Sequence, residues 1–180
     1  MPARAKILSS KILLHSRVFD VRRDKIIEPG GLRSTRDIVV HPGSVVVLPV
    51  FDDGRILLIR QYRHAVARQL WELVAGGIEP GEPPLAGAKR ELAEETGYTA
   101  RRWRKLLDVF PTPGFVSERM IVYLAQDLRA GEARPEDDER ITARAFPPRK
   151  IENWIRNGKL RDAKSIASIL FYLRFCRKTQ

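Results

Sequence analysis

The chain has 180 residues, of which 43% are apolar and 31% are charged, and its 33 basic and 22 acidic residues give a net charge of +11. This composition excludes an intrinsically disordered chain, and the length fits one domain with a short extra subregion. A single cysteine, Cys176, excludes an internal disulfide framework, and no apolar run reaches the length of a membrane span. We therefore expect a cytoplasmic globular protein that does not associate with membranes. Its basic residues are spread along the chain, whereas a nucleic-acid-binding domain would concentrate them.

The first forty residues are predicted to form short strands. Residues 17–21 alternate in polarity, the Glu-Pro-Gly-Gly sequence at 28–31 predicts a turn, and residues 35–41 favour an extended strand. We expect residues 1–40 to form an N-terminal β-hairpin subregion that packs against the main domain or against a second subunit. The main domain is then expected to span residues 41–180.

Strand and helix patterns alternate in the rest of the chain. Residues 44–50 are rich in valine, as expected of a buried strand, and the Asp-Asp-Gly turn at 52–54 leads to a partner strand at 55–61. Further elements are strands at 71–75, 106–110 and 119–128, a polar loop at 130–140, and helices at 148–157 and 163–177. Strands with helices between and after them predict a layered α/β domain.

One helix is predicted to begin at Pro83 and Pro84 and to end before Gly97. Proline favours the first turn of a helix, and glycine favours the position just past its end. Ala88 and Leu92 are part of an apolar stripe that is expected to face the core.

Three glutamates of this helix, Glu91, Glu94 and Glu95, lie at positions i, i+3 and i+4, so they share one helix face. Their mutual repulsion costs a few tenths of a kcal/mol per pair. A divalent cation such as Mg²⁺ would turn this repulsion into a binding site, because Mg²⁺ prefers carboxylate oxygens. Arg90 can pair with Glu94 or orient a neighbouring carboxylate. The alternative is an exposed helix stabilised by arginine–glutamate pairs.

The sequence around this helix matches a known motif. Residues 76–98 read GGIEPGEPPLAGAKRELAEETGY and fit the Nudix box, G-x5-E-x7-R-E-U-x-E-E-x-G-U, in which U is a bulky hydrophobic residue. Tyr98 fills the last position with an aromatic residue. The other matching positions are Gly76, Glu82, Arg90, Glu91, Leu92, Glu94, Glu95 and Gly97. The chain therefore resembles the Nudix hydrolases, which implies an α/β/α sandwich with a mixed β-sheet and a box that forms a loop, a helix and a loop.

The resemblance implies roles for individual box residues. Glu91 and Glu95 would bind the metal with Glu94 assisting, and the main-chain carbonyl of Ala75 would be a further ligand. Glu95 and Glu94 would also take part in catalysis. The expected ion is Mg²⁺, with Mn²⁺ as a substitute. Metal ions polarise phosphoryl oxygens and lower the pKa of a bound water. The box residues expected to have structural roles are Gly76, Glu82, Arg90 and Gly97.

Other segments resemble the ADP-ribose pyrophosphatase branch of this family. They are His-Pro-Gly at 41–43, Arg-Gln-Tyr-Arg at 60–63, Trp-Glu-Leu at 71–73 and Thr-Pro-Gly-Phe at 112–115. Pro113 follows the box by the 15 residues that mark the branch. Val74 and Thr112 depart from the proline and serine that are usual there. The resemblance implies hydrolysis of the pyrophosphate bond of a nucleoside diphosphate sugar, with ADP-ribose split to AMP and ribose 5-phosphate as the first expectation.

The catalytic base in this branch comes from an acidic loop after the box. We predict Glu139 for this role, with Asp138, Asp137 and Glu136 as alternatives, because a carboxylate must take or hold the proton of the attacking water. Residues at substrate-facing positions of the branch are Arg36, Arg63, Glu72, Glu118 and Phe19. Phe19 fits a buried strand aromatic equally well. A homodimer is expected by family likeness, with residues 17–40 as the exchanged element.

Three other functions are compatible with the same residues. A related enzyme would hydrolyse GDP-mannose or another nucleotide sugar. An RNA-end pyrophosphohydrolase would suit the positive charge, but no aromatic and basic nucleic-acid module is recognisable. A non-catalytic ADP-ribose sensor could lose box carboxylates without loss of binding, and this chain keeps all of them.

Overall fold

The computed structural model describes residues 4–133 and 140–177. The chain divides into two units, one formed by Met1–Gly43 with Phe110–Arg119 and the other by Ser44–Val109 with Met120–Gln180. Within the described residues, no helix is long and apolar enough to cross a membrane.

The first unit is an antiparallel three-stranded sheet of β1 (Lys6–His15), β2 (Asp20–Ile27) and β3 (Arg33–Val40) in that spatial order. Gly30 and Gly31 form the turn between β2 and β3 with φ values of 95° and 92°, which glycine adopts without strain. The Val39 amide donates to the Phe115 carbonyl at 2.8 Å, so residues 110–119 attach to β3. The predicted turn at 28–31 is confirmed, whereas β1 was not predicted.

The second unit contains two sheets and three helices. The strands and helices are β4 (Ser44–Pro49), β5 (Ile56–Arg63), β6 (Arg68–Glu72), β7 (Val74–Gly77), α1 (Pro84–Thr96), β8 (Thr99–Val109), β9 (Met120–Arg129), β10 (Thr142–Phe146), α2 (Pro148–Arg156) and α3 (Ala163–Phe171). One sheet has the order β7-β4-β9-β8 and the other β10-β5-β6. The first is mixed, because β4 runs parallel to β9 and the remaining pairs are antiparallel.

Alternate residues of β4 show how this sheet is covered on both faces. Val45 and Val47 pack in the same cluster as Leu92 of α1. Val46 packs in a second cluster that includes Trp154 of α2 and other residues of α2 and α3. All six residues of β4 are buried, as expected of a central strand between two helical layers. This arrangement confirms the α/β/α sandwich with a mixed sheet.

Several boundaries differ from the prediction. The strand predicted at 17–21 begins at Asp20 and extends to Ile27. The strand predicted at 71–75 is interrupted at Leu73, because the Leu73 amide donates to the Ser165 side chain at 2.7 Å instead of to a neighbouring strand. The strand predicted at 106–110 begins earlier, at Thr99. The helix predicted to reach residue 177 ends as an α-helix at Phe171 and continues as a π-helical turn to Cys176.

Candidate active site

Helix α1, which carries the three glutamates, has the predicted ends. Pro84 occupies its first turn, and Gly97 terminates it in the left-handed conformation with φ 73°. A Cβ atom at Gly97 would lie 2.6 Å from the Ala133 amide nitrogen and 2.7 Å from the Gly131 carbonyl oxygen. No residue other than glycine fits this position without a shift of the backbone, which explains why the box needs a glycine here.

Arg90 joins the two ends of the box. Its guanidinium donates to Glu82 at 3.0 Å, to Glu91 at 2.7 Å and to Glu94 at 3.0 Å. It also donates to the Gly77 carbonyl at 3.0 Å. The hydrogen bond to Glu82, followed by the contacts with the other glutamates, raises the pKa of Arg90. Arg90 therefore fixes the loop before α1 to the glutamate face of the helix, as a structural residue would.

The carboxylate of Glu91 lies directly against the backbone of β7. A Cβ atom at Gly76 would lie 2.0 Å from the Glu91 Cδ atom, so only glycine leaves room for this side chain. Ala75 is the neighbouring residue of the same strand. The Glu91 carboxylate therefore contacts the residue that directly follows Ala75. The predicted ligand set includes both this carboxylate and the Ala75 carbonyl oxygen.

Glu95 lies on the buried side of α1, where only 4% of its surface is exposed. Its charge acts on Arg63 of β5 and contributes to the raised pKa of that guanidinium. Glu94, one residue earlier, is more exposed and pairs with Arg90. The helix thus directs Glu95 into the protein and Glu94 towards solvent. The two carboxylates therefore have different environments although the residues are adjacent in sequence.

The glutamates provide hard oxygen donors for a divalent cation. No group of three or more acidic, histidine or cysteine side chains within residues 4–133 and 140–177 is already arranged as a metal-binding cluster. Arg90 holds oxygen atoms of Glu91 and Glu94. The carboxylate oxygens of these glutamates are the donors that Mg²⁺ or a similar ion prefers, and the assignment of individual ligands stays a prediction.

Two residues that were predicted to face the substrate, Arg63 and Glu72, bind one another. Arg63 donates two hydrogen bonds to the Glu72 carboxylate, at 2.9 and 3.0 Å, and Lys164 donates a third. Only 1% of Glu72 is exposed. Burial acts to raise the pKa of Glu72, but the hydrogen bonds and charges of Arg63 and Lys164 outweigh it and keep the pKa below its ordinary value. Glu72 therefore stays ionised and fixes the Arg63 fork.

Lys164 was not identified from the sequence. It lies in the first turn of α3, two residues after the N-cap Asp162, where a cation opposes the helix dipole. A lysine at such an unfavourable position indicates that an acidic residue elsewhere in the fold binds it, and here that residue is Glu72. Ser165 continues the connection, since its hydroxyl contacts Asp162 at 2.5 Å and accepts the Leu73 amide. The start of α3 is thus fastened to the break between β6 and β7.

The remaining predicted substrate residues belong to the first unit. Arg36 of β3 donates to Glu28 at 2.5 Å, and Glu118 lies 3.9 Å from the His41 ring. Phe19 is part of the turn between β1 and β2 and is 37% exposed, so the interpretation as a buried strand aromatic is wrong. The predicted base Glu139 and its alternatives Asp138, Asp137 and Glu136 lie outside the described residues.

Gly76→Ala is expected to weaken divalent metal binding by about tenfold or more, because the added methyl group displaces the Glu91 carboxylate. Isothermal titration with Mn²⁺ measures the change. Gly77→Ala is the matched control, since a Cβ atom there meets nothing within 4 Å. Its affinity should stay within about twofold of the native value. Equal losses in the two variants would contradict a role for Gly76 in seating Glu91.

Comparison with known proteins assigns the family. The NUDIX domain profile matches residues 40–169. The chain is 38% identical over 167 residues to an ADP-ribose pyrophosphatase of Mycobacterium tuberculosis, covering 91% of this chain and 80% of that protein. It is 40% identical over 168 residues to one of Bacillus subtilis, covering 92% and 91%. A crystal structure of an ADP compounds hydrolase shares the fold, with a TM-score of 0.84 at 23% identity, covering 96% of this chain and 94% of that one. The chain belongs to the Nudix family.

Proposed function

We propose that the protein is a metal-dependent hydrolase that cleaves the pyrophosphate bond of a nucleoside diphosphate sugar, and that its preferred substrate is ADP-ribose, which is split to AMP and ribose 5-phosphate. The observation that carries the proposal is the complete box, in which Glu91 lies against Gly76 and Glu95 is buried within electrostatic reach of Arg63. The names of the two bacterial pyrophosphatases, similar over nearly the whole chain, support the choice of ADP-ribose.

The predicted metal ligands are Glu91, Glu95 and the Ala75 carbonyl, with Glu94 assisting. Bound Mg²⁺, or Mn²⁺ in its place, supplies charge neutralisation of the pyrophosphate and a water of lowered pKa. Arg90 keeps the Glu91 and Glu94 carboxylates oriented through direct hydrogen bonds. Outer contacts of this kind typically change metal affinity or activity by about 10–100-fold when they are removed.

Arg63 is the proposed phosphate or base contact of the second unit. Its guanidinium is oriented by two parallel hydrogen bonds to Glu72, and part of the side chain remains exposed to a ligand. A planar fork held in this way loses little freedom when it binds an anion. Arg36, Glu118 and Phe19 remain predicted substrate contacts by family likeness. Glu139 remains the predicted base that takes the proton of the attacking water.

A substrate panel tests the proposal. The full chain is incubated with Mg²⁺ and ADP-ribose, GDP-mannose, a dinucleoside polyphosphate or capped RNA, and the products are separated by chromatography. We expect ADP-ribose to give AMP and ribose 5-phosphate with a kcat/KM at least about tenfold above the others, because a site that hydrogen-bonds one base and sugar discriminates against analogues that leave those groups unpaired. Comparable rates on all four would overturn the ADP-ribose preference. Tight binding of ADP-ribose without turnover would favour the sensor, and no hydrolysis of any compound would overturn the enzyme.

The proposal includes a homodimer in which residues 17–40 are exchanged between the subunits. The large apolar side chains that β1 and the following turn expose support an interface there, and they include Ile7, Leu14 and Val18. Light scattering at several concentrations measures the mass directly, and a monomeric mass throughout would overturn this part of the proposal.

A further inference from the structure

A concavity of the second unit lies between β8, β9 and the π-helical turn that follows α3. Its volume is about 540 Å³, within the range of about 300–1,000 Å³ typical of small-molecule sites. Its walls include Arg102, Arg104, Leu124, Gln126, Tyr172 and Arg177. None of these residues belongs to the box or to the Arg63–Glu72–Lys164 cluster, so the function proposed above does not use the pocket.

Three cationic side chains surround this volume. Arg102 and Arg104 are two positions apart on β8, so they lie on the same face of the strand, and Arg177 follows the π-helical turn. Within residues 4–133 and 140–177, none of the three guanidinium groups forms a hydrogen bond or an ion pair. Burial raises the pKa of the Tyr172 hydroxyl, whereas Arg177 and Arg104 act to lower it, so both cations lie within electrostatic reach of this ring. Like charges around one concavity attract an anion.

The pocket opens on the face of the mixed sheet that is opposite α1. Strand register places Arg104 beside Leu124. Leu124 packs with Tyr172 in the cluster under α2 and α3, whereas the adjacent Ala125 packs with Leu92 of α1 on the other face. The four-stranded sheet therefore separates the pocket from the glutamates of the box, and a ligand bound here would not occupy the metal site.

We propose that this pocket binds a phosphate-bearing small molecule of about nucleotide size, with its phosphate held by the arginines. Guanidinium forks match phosphate oxygens in geometry and charge. Leu124 and Tyr172 supply an apolar wall for a base or a sugar. A small molecule suits the pocket better than a nucleic acid, because the three cations gather around one concavity instead of following a backbone along a groove.

Isothermal titration of the full chain with AMP, without divalent metal, tests the proposal, because metal-free conditions keep phosphate binding at the box weak. Arg102→Gln and Arg104→Gln are compared with Arg101→Gln, which removes the same charge from an exposed neighbour on β8 that does not line the pocket. Ribose 5-phosphate and inorganic phosphate are titrated in parallel to separate recognition of a nucleoside from recognition of phosphate alone.

We expect Arg102→Gln and Arg104→Gln each to weaken AMP binding by about tenfold or more, while Arg101→Gln stays within about twofold. Inorganic phosphate that binds as well as AMP would support the site and assign recognition to the phosphate group. Tighter binding of AMP would support it and add a nucleoside contact. Unchanged AMP affinity in both pocket variants, or an equal loss in Arg101→Gln, would overturn the proposal. The proposal would also be overturned if a short RNA bound in a way that depends on Arg102 and Arg104 while AMP did not bind.

Discussion

Glu95→Gln is expected to lower turnover of the proposed substrate by at least about a hundredfold while the protein stays folded. Glutamine has nearly the shape of glutamate, so it fits the buried position, where 4% of the residue is exposed. It lacks the negative charge that is needed to hold a divalent ion, and metal contributions to transition-state stabilisation amount to several kcal/mol. Initial rates of ADP-ribose hydrolysis at saturating Mg²⁺ measure the effect.

A second readout separates loss of the metal site from loss of the fold. We expect Mg²⁺ to raise the melting temperature of the unchanged protein, because a ligand that binds only the native state stabilises it. We expect Glu95→Gln to melt cooperatively and to lose this Mg²⁺-dependent increase. Glu152→Gln is the matched control, since Glu152 is exposed on α2, and it should keep both rate and metal response. An active Glu95→Gln protein with an unchanged response to Mg²⁺ would refute Glu95 as a metal ligand.

The chemistry of α1 could be predicted from sequence because it is local. Proline at the start, glycine in the left-handed conformation at the end, and glutamates at i, i+3 and i+4 depend on helix geometry alone. The structure adds that Gly76 is required because Glu91 fills the space beside it. Spacing within the motif predicts that a glycine is needed there, but the atom that excludes a side chain becomes visible only in three dimensions.

Contacts between distant segments could not be predicted in the same way. Glu72 and Lys164 are separated by 92 positions, and so are Leu73 and Ser165. The sequence pattern predicts one strand over residues 71–75. In the structure, the Leu73 amide donates to the Ser165 hydroxyl, and the strand is interrupted there. Family likeness names Glu72 as a substrate-facing residue, but the cation that keeps its charge buried depends on where α3 docks.

Strand β1 escaped prediction for a different physical reason. Its pairing with β2 contains register shifts between Ile7 and Ser9 and between Ile12 and Leu14. Each shift interrupts the two-residue alternation on which strand prediction depends. All ten residues of the strand are exposed in this chain, so no buried face imposes a pattern on its sequence. Backbone pairing with β2 and the hydrogen bond that the Ser10 hydroxyl donates to the Asp24 carboxylate at 2.6 Å hold it in place.

Lys164→Met is expected to destabilise the protein by about 3 kcal/mol at neutral pH, because it removes one partner from a buried ion pair and leaves Glu72 with Arg63 alone. Methionine replaces the aliphatic part of the lysine, so the loss reports on charge and not on packing. Urea unfolding gives the free energy of unfolding. Lys25→Met, at an exposed position of β2, is the control and should change it by less than about 0.5 kcal/mol.

The same variant should also change how stability depends on pH. The pKa of Glu72 in the native state lies below its ordinary value of 4.5, so the stability that its charge contributes is present above 4.5 and is lost as the pH falls through the native pKa. Without Lys164, burial, which raises the pKa of Glu72, is opposed by fewer charges. The loss of stability in acid should therefore end at a higher pH in Lys164→Met, and its total size should be smaller than in the native protein. Parallel pH profiles of the free energy of unfolding would contradict the coupling of these two residues, because a purely steric effect of the substitution lowers stability equally at every pH.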